Sequence, residues 1–203
     1  MYRFRIYFFL LTLILTGSVS AKESSVLVMG DSLSAGYGIE ITQGWAALLE
    51  TEMAAKHQLK WINASVSGET TSGGKARLDQ LLKTHQPDYV ILELGGNDGL
   101  RGQPLNFIRN NLQSMIDSIH QQKAKILLLG MQIPPNYGAR YAESFANIYS
   151  ELAKTNNLLL VPFLLEGVAT NPSLMQNDGI HPTAEGQPLV MENVRGYFEK
   201  LLE

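Results

Sequence analysis

The stretch VLVMGDSLS at residues 26–34 carries four apolar residues directly into Gly30, Asp31 and Ser32. Much further along, DGIHP places Asp178 three residues before His181. A serine hydroxyl is a poor nucleophile until a base takes its proton, and an imidazole serves as that base when a carboxylate fixes its tautomer. The spacing suits one tight turn, and Pro182 disfavours helical geometry at His181, so both side chains can meet within a loop. Attack on a carbonyl also needs donors for the oxyanion that develops. The backbone N–H groups of Ser32 and of Gly68 in SVSGET, with the side-chain amide of Asn97 in GGND, are candidates. Each fragment alone is ordinary turn chemistry, since Gly-Asp-Ser starts helices and Gly-rich pairs make loops. Their shared position after apolar runs gives them joint meaning.

Those apolar runs predict strands at 26–29, 61–64, 89–94, 126–130 and 158–161. Between them, apolar residues recur three and four apart. Leu78, Leu81 and Leu82 form one helical face, and Leu105, Ile108, Leu112, Met115, Ile116 and Ile119 form another. Tyr141, Phe145, Ile148, Tyr149 and Leu152 form a third, and Val190, Val194, Tyr197, Phe198 and Leu201 close the chain. Strands that read as continuous apolar runs between helices predict a parallel sheet covered on both faces, a three-layer α/β/α sandwich of five strands. Ligands bind such sheets beyond the carboxyl ends of the strands, where strand order reverses. With an order of 2-1-3-4-5, the clusters at Ser32, Gly68, Asn97 and His181 converge on one crevice.

Composition narrows the field. A chain of 203 residues, 45% hydrophobic and 17% charged, suits one domain with a sizeable core. A net charge of −3 with interspersed signs offers no basic face for a nucleic acid. The absence of cysteine excludes disulfides, thiolate zinc sites and a cysteine nucleophile. At the N-terminus, Arg3 and Arg5 precede an apolar run at 6–15, and small residues follow, with Val19 and Ala21 at the recognition positions of a signal peptidase. This pattern predicts a signal peptide at 1–21, a mature domain at 22–203, a periplasmic or secreted location and no stable membrane span after cleavage.

The blocks GDSLSAGYG, NASVSGET, GGND and DGIHP stand in the order of the SGNH (GDSL) hydrolase family, and the chain resembles that family over essentially its whole mature length. The resemblance implies a flavodoxin-like sheet without a metal or cofactor. It makes Ser32 the nucleophile, His181 the base and then acid, and Asp178 its orienting partner. It also makes the Ser32 N–H, Gly68 and Asn97 the oxyanion hole. The stretches ELGGNDGLRG, MQIPPNYGARY and DGIHPTAEGQP are similar to a bacterial periplasmic group of thioesterases, lysophospholipases and arylesterases within it. That implies a broad-specificity acyl hydrolase for small esters, thioesters or lysophospholipids, expected as a monomer. The Gly-x-Ser-x-Gly elbow of α/β-hydrolases is not met, because Ser34 occupies its fifth position.

After the fourth strand, Ile133, Pro134 and Tyr137 are candidates for the wall of an acyl groove, beside Met131 and Pro135. Two rival readings remain: a carbohydrate O-deacetylase using the same residues with a polar pocket, and a non-catalytic anion- or flavin-binding module. The second leaves Asp178 and His181 without a task.

Overall fold

The computed structural model describes residues 23–203; the expected signal peptide lies outside the described residues. Five strands, β1 (Ser24–Met29), β2 (Leu59–Asn63), β3 (Tyr89–Leu92), β4 (Lys125–Leu129) and β5 (Leu159–Val161), form one sheet in the order β2-β1-β3-β4-β5. Every pairing is parallel, with Val26 opposite both Trp61 and Tyr89. The order matches the expectation, so β1 and β3 are neighbours and their ends flank the point where the chain reverses direction across the sheet.

The helices are α1 (Ser32–Ala35), α2 (Trp45–Ala54), α3 (Thr71–His85), α4 (Gly96–Leu100), α5 (Leu105–Gln121), α6 (Ala139–Asn156) and α7 (Gln187–Leu202). Helices α2 and α7 pack together on one face of the sheet, and α3, α5 and α6 cover the other. Residues Val26 to Met29 are fully buried as a result, which is why this run shows no polar alternation. The helical faces deliver Leu78, Leu112, Phe145, Val194 and Phe198 into the same core.

Some elements differ from the sequence reading. Helix α2 was not among the expected faces, because its apolar residues surround the helix: Trp45, Ala46, Leu49 and Met53 are buried while Ala47 and Leu48 are half-buried. Strand β3 ends at Leu92 rather than 94, although the Glu93 N–H still donates to the Met29 carbonyl at 2.8 Å. Past the strand, Glu93 turns its carboxylate beneath the turn after β1.

Candidate active site

Ser32 is delivered by the turn after β1. Asp31 caps α1, its Oδ1 accepting the Leu33 N–H at 3.0 Å, and this fixes the backbone around the serine. Helix α1 has four residues, too few to sum a macrodipole, so any help to an anion here comes from individual N–H groups. No described residue accepts the Ser32 N–H or the Gly68 N–H.

His181 Nε2 lies 2.8 Å from Ser32 Oγ, and His181 Nδ1 lies 2.6 Å from Asp178 Oδ2. The other oxygen of Asp178 accepts the N–H groups of Ile180 and His181 at 2.9 and 3.0 Å. One carboxylate thus closes its own turn and orients the imidazole, which is what the three-residue spacing permits. Desolvation pulls the Asp178 carboxyl upward, but the hydrogen bonds from the His181 ring, the His181 N–H and the Ile180 N–H outweigh it and bring the pKa down to about 2.

The histidine loop is tied to the serine loop by Gln176. Its Nε2 donates to the Tyr37 and Pro182 carbonyls at 2.8 and 2.9 Å, and its backbone N–H donates to the His181 carbonyl at 2.7 Å. The Tyr37 ring sits against the His181 imidazole, centroids 4.5 Å apart. Gln176 was not singled out in the sequence, because a polar loop residue carries no signal of what it will bridge. Tyr37 lies within GDSLSAGYG, but nothing in its spacing points to His181.

Beneath the serine the site is dry. Asn97 Nδ2 donates to Asp31 Oδ2 at 3.0 Å, which leaves its second amide hydrogen for the groove. The carboxylate of Glu93 accepts the Asp31 N–H at 3.0 Å and the Ser34 hydroxyl at 2.7 Å. Burial pushes the Asp31 carboxyl up to about 6, against the pull of Leu33, His181 and Asn97. Burial, reinforced by the nearby Asp31 charge, holds Glu93 well above the usual carboxylate range. Glu93 explains Gly30, since a Cβ there would stand 2.6 Å from a Glu93 oxygen. A glutamate ending an apolar strand was the available sequence signal.

Gly68, in the loop after β2, and Asn97, in α4, are joined by a buried bracket. Asp98, next to Asn97, accepts both the Thr71 N–H at 2.8 Å and the Thr71 hydroxyl at 2.7 Å. Asn111 on α5 donates to the same hydroxyl at 3.1 Å. Thr71 opens α3 three residues after Gly68, so the bracket fixes that loop against α4. Gly68 itself has φ +80 with open space where a Cβ would stand, a conformation that suits glycine and leaves its face clear.

These groups border a groove of about 510 Å³ whose apolar wall includes Leu33, Met131, Ile133, Pro134, Phe163 and Ile180. Ile133 and Pro134 thus stand where the sequence expected them. Tyr137 does not line the groove; it occupies the 3₁₀ turn Pro135–Tyr137 and is exposed, because the consecutive prolines carry the chain outward before α6 begins. Among the described residues, no group of three or more His, Asp or Glu side chains could hold a metal ion.

The chain is 46% identical over 183 residues to Esterase TesA of Pseudomonas aeruginosa, covering 90% of this chain and 91% of that one. It is 42% identical over 184 residues to the Thioesterase 1/protease 1/lysophospholipase L1 of Escherichia coli, covering 91% and 87% respectively. Among solved structures, the psychrotrophic esterase EstA from Pseudoalteromonas sp., inhibited by monoethylphosphonate, superposes with a TM-score of 0.84 at 38% identity, covering 88% of this chain and 98% of that one. Residues 28–189 match the GDSL-like Lipase/Acylhydrolase family, a span that runs from β1 through the serine and histidine loops into α7. The chain therefore belongs to that family, and it is a serine acyl hydrolase.

Proposed function

We propose that Ser32, His181 and Asp178 form the catalytic triad of an esterase and thioesterase of broad specificity, with the acyl chain lying in the apolar groove. The observation that carries this reading is the unbroken chain from Ser32 Oγ through His181 to Asp178, at 2.8 and 2.6 Å. His181 Nε2 takes the Ser32 proton as Oγ bonds to the acyl carbon, and the carbonyl electrons move to oxygen. The N–H groups of Ser32 and Gly68 and the Asn97 amide stabilise that oxyanion. Its collapse expels the alcohol or thiol, which takes the proton from His181. Water, deprotonated by His181, then splits the acyl-enzyme and regenerates Ser32. Asp178 stays ionised throughout, because its own turn and the imidazole supply donors to the charged form. The chemistry requires no cofactor.

The substrate class is supported by the groove, whose wall is apolar, and by relatives named for ester, thioester and lysophospholipid hydrolysis. The basic, apolar and small-residue order of residues 1–21 supports export, with a mature chain from Lys22 acting in the periplasm or outside the cell. All the groups of the mechanism come from one chain, which supports action as a monomer. The test is hydrolysis of p-nitrophenyl esters from acetyl to palmitoyl, with a matching acyl-CoA series, by the chain and its Ser32→Ala variant. Turnover that depends on Ser32 and favours medium or long chains is expected. Turnover confined to acetyl esters would overturn the acyl-groove assignment in favour of a deacetylase, and Ser32-independent turnover would overturn the mechanism.

A further inference from the structure

In a parallel sheet with helical crossovers, every strand-to-helix connection emerges at the carboxyl edge and every helix-to-strand connection returns at the amino edge. The two edges of this molecule differ in what they expose. The large apolar residues exposed among the described residues all lie on the carboxyl-edge side. Tyr37 and Ile41 follow β1, Val66 follows β2 and Tyr137 follows β4. Ile180 precedes α7, while Phe107 and Leu189 stand in the first turns of α5 and α7. The returns at 55–58, 86–88, 122–124 and 157–158 carry none. Ile41 is 72% exposed, and it is the restriction of such residues to one edge, rather than any one of them, that calls for an occupant.

Four of these residues stand at or beside the acyl groove, and Ile41, Phe107 and Leu189 share its edge of the sheet. Tyr37 and Ile180 line it, Val66 adjoins its lining residues Ser67 and Gly68, and Tyr137 follows its lining residue Pro135. Charge is distributed in the opposite sense. Every described lysine except Lys75 lies in the last turn of a helix, in a return to the sheet or at the start of a strand, away from the groove. The carboxyl edge instead carries Arg101 and Arg140 against Glu40, Glu166, Asp178 and Glu185, with Glu69 already paired to Arg77 of α3. An apolar edge without surplus positive charge suits an interface that offers hydrocarbon but no net negative charge.

We propose that the carboxyl-edge face docks on the surface of a zwitterionic lipid aggregate, so that an acyl chain passes from the lipid into the groove without crossing bulk water. This rests on the acyl-hydrolase reading only for the groove's occupant; the docking itself is independent of catalysis. The test uses the chain from residue 22, the mature form that the proposed export yields. With Ser32→Ala to prevent turnover, it is sedimented with phosphatidylcholine vesicles, beside a form also carrying Ile41→Ser, Phe107→Ser and Leu189→Ser, positions outside the groove lining. Docking predicts that the parent sediments with the vesicles, that the triple change weakens partition at least about tenfold, and that added salt does not release the parent. With Ser32 restored, the triple variant keeps p-nitrophenyl acetate turnover within about twofold and loses activity on a long-chain ester carried in the vesicles. Equal partition of both forms, or no partition by the parent, overturns docking. So does a requirement for anionic lipid, or a dimer in sedimentation velocity that the triple change disperses, since a second copy would then be what covers the face. Absence of Ser32-dependent turnover of p-nitrophenyl acetate would instead fail the acyl-hydrolase reading and leave the vesicle result standing.

Discussion

The serine side of the site rests on side chains withdrawn from water, with Asp31, Glu93, Thr71 and Asp98 at 2%, 0%, 0% and 1% exposure. The histidine side is one exposed loop, in which Asp178 closes its own turn and Gln176 ties the loop to its neighbour. On the proposed mechanism, the difference follows from what each side must do. Donors for an oxyanion must already point at it, because reorganising them during reaction would consume the stabilisation they provide. Holding them dry, however, raises the Asp31 and Glu93 carboxyls. The acid that orients His181 has the opposite need, to remain charged, and an exposed carboxylate with three hydrogen bonds achieves that cheaply.

The largest test of this contrast is Ser32→Ala, which is expected to lower kcat roughly 10^4-fold or more while the melting temperature holds. Steady-state ester hydrolysis beside thermal unfolding reads both. Asn97→Ala removes a donor from the dry side and is expected to cost about 10^2- to 10^3-fold in kcat, with little change in KM. A loss confined to KM would mean that Asn97 binds the ground state only.

Thr71→Val removes the hydroxyl that Asp98 and Asn111 share. If the bracket positions Gly68 and Asn97, kcat falls about tenfold at constant KM, Thr71→Ser restores it, and the loss shrinks in an Asn97→Ala background. A loss that merely adds to that of Asn97→Ala, or one that tracks melting temperature alone, would reduce the bracket to a support of the fold. On the exposed side, Gln176→Ala loosens a loop that retains its Asp178 turn, and a decrease of only a few-fold is expected. A larger effect would place the two sides on an equal footing.

The smallest expected effect is one of stability. Asp31 and Glu93 hold protons in the folded state more tightly than in the unfolded chain, where their values are near 3.8 and 4.5. Their contribution to stability is therefore complete below about pH 4 and is lost as pH rises through the folded pKa of Asp31, about 6, and that of Glu93 above its ordinary range. Glu93→Gln keeps an acceptor for Ser34 and is expected to raise the melting temperature by a few degrees above pH 6 and to change it least near pH 4. An equal shift at both pH values would show that packing, rather than the proton, is at stake.

The covered parallel sheet and the pairing of Asp178 with His181 were legible in the sequence for related reasons. Continuous apolar runs such as VLVM report burial on both faces, and an Asp-x-x-His turn is local, so its geometry is set within a few residues. The buried bracket was not legible, because Thr71, Asp98 and Asn111 lie far apart in the chain and each alone reads as a cap, a loop residue or a helix surface. Glu93 gave a faint signal as a charge at the end of an apolar strand, yet its partners Asp31 and Ser34 sit some sixty positions away.

By itself, then, the sequence determined the alternation of strands and helices, the residues capable of acyl-transfer chemistry and the turn that joins Asp178 to His181. Only the tertiary structure decided that Tyr137 stands outside the groove while Tyr37 rests on His181, that α1 is too short for a dipole, and that the exposed apolar side chains share one edge. Hydrophobic period and turn chemistry act over a few residues and are written in order along the chain. Distances between loops depend on how helices pack across the sheet, and no local pattern encodes them.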